Sequence, residues 1–186
     1  PPGRSVRLLR AAAAVVGSPA AAHWAAKQEP CQDSLPARPR PRARQNLGLS
    51  PDWEQLSWRE LRTQVLQKMT ENNWKTLAIT SPTPESGKTV VANNLAMSIA
   101  HQTEKTAMVV DFDLRRPKVS QYLGVKLETS LNDVLENNAK VSDALINPGI
   151  PRFVVLGSNK PMPNSTELLS STNVHQMLED LRDRYD

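Results

Sequence analysis

The tripeptide Gly87-Lys88-Thr89 constrains this chain more than any other feature, because it stands between a short apolar run, Leu77-Ala78-Ile79, and a longer one from Thr89 to His101. A backbone that surrounds a polyphosphate needs successive N–H groups at a helix N-terminus, a lysine that reaches the outer phosphates and a hydroxyl that holds Mg²⁺. Gly87 lets the backbone approach, Lys88 supplies the charge and Thr89 the metal ligand. Such a loop needs a strand before it and a helix after it. The full pattern G-x-x-x-x-G-K-[ST] places glycine at position 82, where this chain has Pro82.

The remaining periodicities fit that arrangement. Leu77–Ile79 predicts a short buried strand, Ala107–Val110 a second and Phe153–Leu156 a third. Between and after them, Thr89–His101 and Thr172–Tyr185 predict helices, the latter through Val174, Met177, Leu178 and Leu181 at helical spacing. Shorter helices are expected around Leu131–Asn137 and Val141–Ile146. Upstream, Trp58, Leu61, Val65, Leu66 and Met69 form one apolar stripe, and Ser57-Trp58-Arg59-Glu60 has the capping-box form, so a helix is predicted over 57–71. Ser50-Pro51 has the form of an earlier N-cap. Strands alternating with helices of this length indicate right-handed crossovers in an α/β fold.

Charge divides the chain in two. The first 45 residues carry eight basic and two acidic side chains, whereas the other 141 carry 15 basic and 17 acidic. The sequence pI near 9.4 therefore reflects the N-terminal segment, and a nucleic-acid-binding fold is not implied. With seven of the 15 prolines, the run Ala11–Ala14 and the alternation Arg38-Pro39-Arg40-Pro41-Arg42, residues 1–45 are expected to be a disordered basic tail. A targeting peptide, an arm for anionic lipid headgroups and a proline-rich partner ligand compete there with a plain solvated linker. Residues 46–186 are expected to form the domain. Cys31 is the only cysteine, which excludes an intrachain disulfide and a thiolate zinc cluster. The longest apolar run, Ala11–Val16, is far shorter than the ~20 residues that cross a bilayer.

A second chemical segment follows the second strand: Val109-Val110-Asp111-Phe112-Asp113-Leu114-Arg115-Arg116-Pro117. Residues just past the carboxyl end of a parallel strand line the ligand crevice. Asp111 and Asp113, two apart, are expected to reach the Mg²⁺ beside Thr89. Arg115 and Arg116 would balance the carboxylates or contact a phosphate.

Together with Pro163-Asn164-Ser165-Thr166-Glu167-Leu168-Leu169-Ser170-Ser171, these two segments resemble the cytoplasmic domain of the bacterial tyrosine kinases, P-loop proteins of capsule and exopolysaccharide export. The resemblance runs over about residues 57–186. It implies a three-layer P-loop NTPase-type fold with a mostly parallel sheet, truncated here before the Walker B strand. It also implies ATP and Mg²⁺ as ligands and autophosphorylation on tyrosine as the activity. On this sequence it makes Pro84, Glu85, Ser86, Gly87, Lys88, Thr89 and Val90 the Walker A loop, with Arg115 beside the phosphates. Lys88, Asp111 and Asp113 would be catalytic, Asp111 activating the tyrosine hydroxyl, and Thr89, Asp111 and Asp113 would hold the metal.

The same resemblance implies a membrane-bound chain-length regulator, a polysaccharide co-polymerase, as partner. It further implies self-association, no nucleic acid, and a cytoplasmic position peripheral to the inner face of the plasma membrane. Some positions depart from the family pattern. Leu56 stands three before Arg59 where an acidic residue is usual, Ser165 replaces a proline, and the hydrophobic-DxPP strand and the tyrosine cluster would lie beyond Asp186. Two other readings compete. A partition or septum-positioning ATPase would carry a lysine early in the loop, where Thr83 stands. A catalytically silent regulator would bind nucleotide and gate an exporter.

Overall fold

Five segments with little but small, β-branched and apolar residues pair into one sheet, and helices cover it on two sides. The computed structural model describes residues 10–17, 52–102 and 104–184. In chain order the elements are β1 (Arg10–Gly17), α1 (Asp52–Glu71), β2 (Thr76–Ser81), α2 (Lys88–Ala100), β3 (Thr106–Val110) and α3 (Val119–Leu123). There follow α4 (Leu131–Leu135), α5 (Val141–Ala144), β4 (Leu145–Ile146), β5 (Phe153–Leu156), α6 (Ser165–Leu169) and α7 (Thr172–Arg184).

The strand order is β2-β1-β3-β5-β4. β3 and β5 pair in parallel, whereas β1 is antiparallel to both β2 and β3 and β4 is antiparallel to β5. β2, β3 and β5 thus share one direction, and the crossover from β2 through α2 to β3 passes over β1. The mostly parallel sheet expected from the sequence is corrected to a mixed one. The cause is local: a two-residue β4 turns back on β5, and β1 enters the slot between β2 and β3 in the reverse direction.

β1 also departs from the expectation of a disordered tail for its eight residues. Composition averaged over the proline-rich surroundings hides Ala11–Val16, an uncharged run. In the slot, its backbone groups find partners on both sides, Arg10–Val15 against β2 and Ala13–Gly17 against β3. The rest of residues 1–45, and the Ser50-Pro51 cap, lie outside the described residues. Helix α1 begins at Asp52, so Ser57 is an interior residue and the capping-box sequence does not start the helix.

Alternation along the strands builds the three layers. On one face Ala107, Val109, Phe153 and Val155 pack with Leu95, Ile99 and Ala100 of α2, Met69 of α1, and Val119 and Leu123 of α3. On the other, Met108, Val110, Val154 and Leu156 pack with Leu131 and Leu135 of α4 and Val174, Met177 and Leu181 of α7. β3 and β5 are buried throughout, as continuous apolar runs with cover on both faces should be. β2 is different. It is an edge strand, and its residues alternate between exposed and half-buried instead of being buried throughout as the sequence suggests.

Candidate functional site

The carboxyl ends of β2, β3 and β5 face one edge of the sheet, and the chemically distinctive residues gather there. From Ser81 the chain turns through a loop that fastens itself: the Ser81 and Ser86 hydroxyls both donate to the Thr83 carbonyl, at 2.9 and 3.0 Å. Gly87 closes it at φ 86°, the left-handed region, with free space where a Cβ would stand, so the backbone angle alone calls for glycine. Glu85 also has a positive φ, 61°. Helix α2 starts at Lys88 with no side-chain cap and no acidic residue in its first turn. Its first N–H groups and the positive end of its dipole are thus arranged for an anion. Pro84, Glu85 and Ser86 are exposed, Thr89 is half-buried and Val90 is exposed.

Lys88 points inward. Its Nζ lies 2.8 Å from Asp113 Oδ2, and the two side chains are only 9% and 5% exposed. The two motifs, 25 residues apart in sequence, therefore meet, as the resemblance implies. A second, exposed ion pair joins them at the surface, Lys118 Nζ to Glu85 Oε1 at 3.6 Å.

Asp111 has a different environment. It is 2% exposed, and its carboxylate accepts three backbone hydrogen bonds: from the Asp113 N–H on Oδ1 at 3.2 Å, and from the Lys118 and Val119 N–H groups on Oδ2 at 3.0 Å each. It thereby closes the loop 112–118 and ties down the start of α3. Burial pushes its pKa up to about 6; the three backbone bonds oppose that shift and the negative charge of Asp113 adds to it. Asp113 accepts a 3.2 Å bond from the Arg116 N–H on Oδ1. Arg115 and Arg116 are both exposed, and Arg115 Nε donates to the Ser165 hydroxyl at 3.3 Å.

The sequence argument missed several supports of this edge. The Ser158 hydroxyl donates to the Asp111 carbonyl at 3.2 Å. Fully buried Asn132 donates to the Lys160 carbonyl and accepts from the Asn159 N–H, holding the loop after β5 in place. Ser158 and Asn159 lie just past the third strand, after Gly157, so the same strand-end rule that singles out Asp111 could have found them. Asn132 lies in a five-residue helix and carries no such signal.

The residues fit a nucleotide with Mg²⁺. Among the described residues no group of three or more His, Cys, Asp and Glu side chains could hold a metal alone. Mg²⁺ bound to nucleotides does not need one, since one or two carboxylates and the phosphates complete its shell.

No family model matches the chain. The tyrosine-protein kinase etk of Escherichia coli (strain K12) is 34% identical over 128 residues, which are 69% of this chain and 18% of that protein. Among solved structures, the BceF tyrosine kinase domain has a TM-score of 0.58 and 28% identity, covering 69% of this chain and 51% of that one. The kinase domain of the Escherichia coli tyrosine kinase ETK has a TM-score of 0.52 and 34% identity, covering 56% and 40%. The chain thus spans less than a fifth of the length of that full-length relative.

Proposed function

We propose that this chain, a member of the bacterial tyrosine kinase family by its relatives and its structural neighbours, binds ATP·Mg²⁺ at the edge formed by residues 84–90 and 111–115 and transfers the γ-phosphoryl group to tyrosine. The observation that carries this reading is the buried Lys88–Asp113 contact across the uncapped start of α2. Phosphoryl transfer needs little covalent help from a protein and depends on positioning and charge neutralisation. The N–H groups of Gly87, Lys88 and Thr89 would hold the phosphates, with Arg115 at the rim. Lys88 would exchange Asp113 for the β- and γ-phosphates. Asp113, so released, would hold Mg²⁺ with Thr89, and the metal would supply neutralisation of the phosphate charge.

Asp111 keeps the segment in register, and its Oδ1, which carries a single hydrogen bond, is the atom that would accept the tyrosine proton. Proton acceptance requires a fixed group, and the three backbone donors supply that fixation.

In the cell the reaction would serve exopolysaccharide or capsule export, with a membrane-bound chain-length regulator as partner. No helix among the described residues is long and apolar enough to cross a membrane, so that partner would bring the domain to the inner face of the plasma membrane. Self-association would use Arg59, which is exposed; Arg62 is turned inward, Nη1 donating to the Ser98 carbonyl at 2.9 Å. Incubation of the protein with ATP and Mg²⁺, followed by phosphotyrosine detection, tests the reading. Phosphotyrosine should form and should vanish in Lys88→Ala. ATP affinity unchanged in that variant would refute the site.

A further inference from the structure

The charges of the two segments that meet at this edge leave one side chain over. Residues 82–88 and 111–118 hold four cations, Lys88, Arg115, Arg116 and Lys118, and three anions, Glu85, Asp111 and Asp113. Lys88 is paired with Asp113 and Lys118 with Glu85, while Asp111 accepts its three backbone hydrogen bonds. Arg115 directs its Nε–H to the Ser165 hydroxyl. Every anion is thus provided for, and Arg116, which is exposed, is the one cation of these segments whose side chain has no partner among the described residues.

The backbone from which Arg116 springs is fixed. Its N–H donates to the Asp113 carbonyl at 3.0 Å and to Asp113 Oδ1 at 3.2 Å, whereas Oδ2 of the same carboxylate faces Lys88. The two oxygens of a carboxylate diverge, so the Asp113 group stands between Lys88, where the phosphates are proposed to lie, and the backbone of Arg116. Asp111 is 2% exposed and lies in the same loop as exposed Arg116. A polypeptide whose tyrosine reaches in to Asp111 therefore keeps its own backbone outside, at the level of Arg116. A guanidinium binds a carboxylate through two parallel N–H···O contacts, and an unpaired one at the entrance of a site selects partners of opposite charge. We propose that Arg116 is a specificity-determining residue that selects tyrosyl segments with an aspartate or glutamate beside the acceptor tyrosine. The proposal rests on the tyrosine-kinase reading above.

Three labelled synthetic peptides test it, identical except that glutamate, glutamine or lysine flanks their single tyrosine. Fluorescence anisotropy with ADP and Mg²⁺ reads their affinity for the full chain, and phosphotyrosine formation with ATP and Mg²⁺ reads kcat/KM. The wild type should favour the glutamate peptide over the glutamine peptide about fivefold in both, the scale of one exposed ion pair, and the preference should shrink with added salt. Arg116→Gln should level these two peptides, Arg116→Lys should keep most of the preference, and Arg116→Glu should favour the lysine peptide. A preference that survives Arg116→Gln would overturn the proposal, as would equal affinity for the three peptides, or none for any, in the wild type. A raised KM for ATP in Arg116→Gln with the same loss on every peptide would overturn it too, because Arg116 would then serve the nucleotide phosphates. Phosphotyrosine on none of the peptides, with the Arg116-dependent order of affinities intact, would remove the kinase reading and leave the charge selection standing.

Discussion

The two loops at the sheet edge are built in opposite ways. The loop 82–87 is exposed, is fastened mainly by two hydroxyls on one carbonyl, and ends at a helix start whose N–H groups have no side-chain cap. The loop 111–119 is organised around a buried carboxylate that accepts three backbone bonds, and a hydroxyl from β5's exit holds its carbonyl. One loop keeps its donors for a ligand, and the other satisfies its polar groups internally. A loop of the first kind gains order from the anion it binds, whereas one of the second kind is formed beforehand and offers a fixed carboxylate. The Lys88–Asp113 pair bridges them, so each loop partly sets the other's geometry.

The largest effect should come from removing what spaces the two loops. β1 separates β2 from β3, and deletion of residues 1–17 would leave the facing ladders of both strands without partners. The expected outcome is loss of a cooperative melting transition by circular dichroism. A melting midpoint within a degree or two of the full chain would show that the spacing does not depend on β1.

Next in size is Lys88→Ala. It should lower ATP affinity at least ~100-fold and also destabilise the fold by about 3–5 kcal/mol, because Asp113 is left buried without its partner. Adding Asp113→Asn should recover most of the stability but none of the binding. Denaturant melts and nucleotide titrations on the single and double variants separate the two effects.

Asp111→Asn sharpens the contrast further. An amide has one acceptor oxygen where the carboxylate has two, so at least one backbone N–H loses its partner, at a cost of about 1–3 kcal/mol at neutral pH. The pH dependence follows from the raised pKa. Between the ordinary value of 3.8 and about 6 the folded protein holds more protons on Asp111 than the unfolded chain does. Its contribution to stability is therefore fully present below 3.8 and is lost as pH rises through about 6. Thermal melts from pH 4 to 7 should show this decline in the wild type and not in Asp111→Asn, so the gap between them narrows as pH rises. A constant gap would contradict burial as the cause of the shift.

The smallest effect is expected for Ser158→Ala, which removes one 3.2 Å bond to the Asp111 carbonyl. About 1 kcal/mol or less should be lost, with ATP affinity unchanged. Hydrogen exchange should then report faster opening of 111–119 and no change at 82–87; equal acceleration of both loops would mean that they open as one unit.

Much of this architecture was legible in the residues alone. β5 has the predicted bounds, β3 begins one residue earlier, α2 is displaced by one residue at each end, and α7 follows the stripe Val174, Met177, Leu181. These are signals of period and run length, which local chemistry produces and the fold only confirms. The five-residue helices α3 and α6 left no such trace, being too short to show a period.

By itself, then, the sequence determined the glycine turn into α2, the two carboxylates after β3 and the layers that carry them, because glycine's backbone freedom, helix periodicity and strand burial act within a few residues of one another. Tertiary structure alone decided which groups meet. Lys88 finds Asp113 only because a crossover returns β3 beside the start of α2. Asp111 becomes an anchor only because α3 begins where its N–H groups face that carboxylate. Ala11–Val16 becomes a central strand only because two other strands leave a slot with unpaired donors and acceptors on both sides. A hydrogen-bonding vacancy between distant segments has no sequence signature in the segment that fills it, since the requirement belongs to the partners.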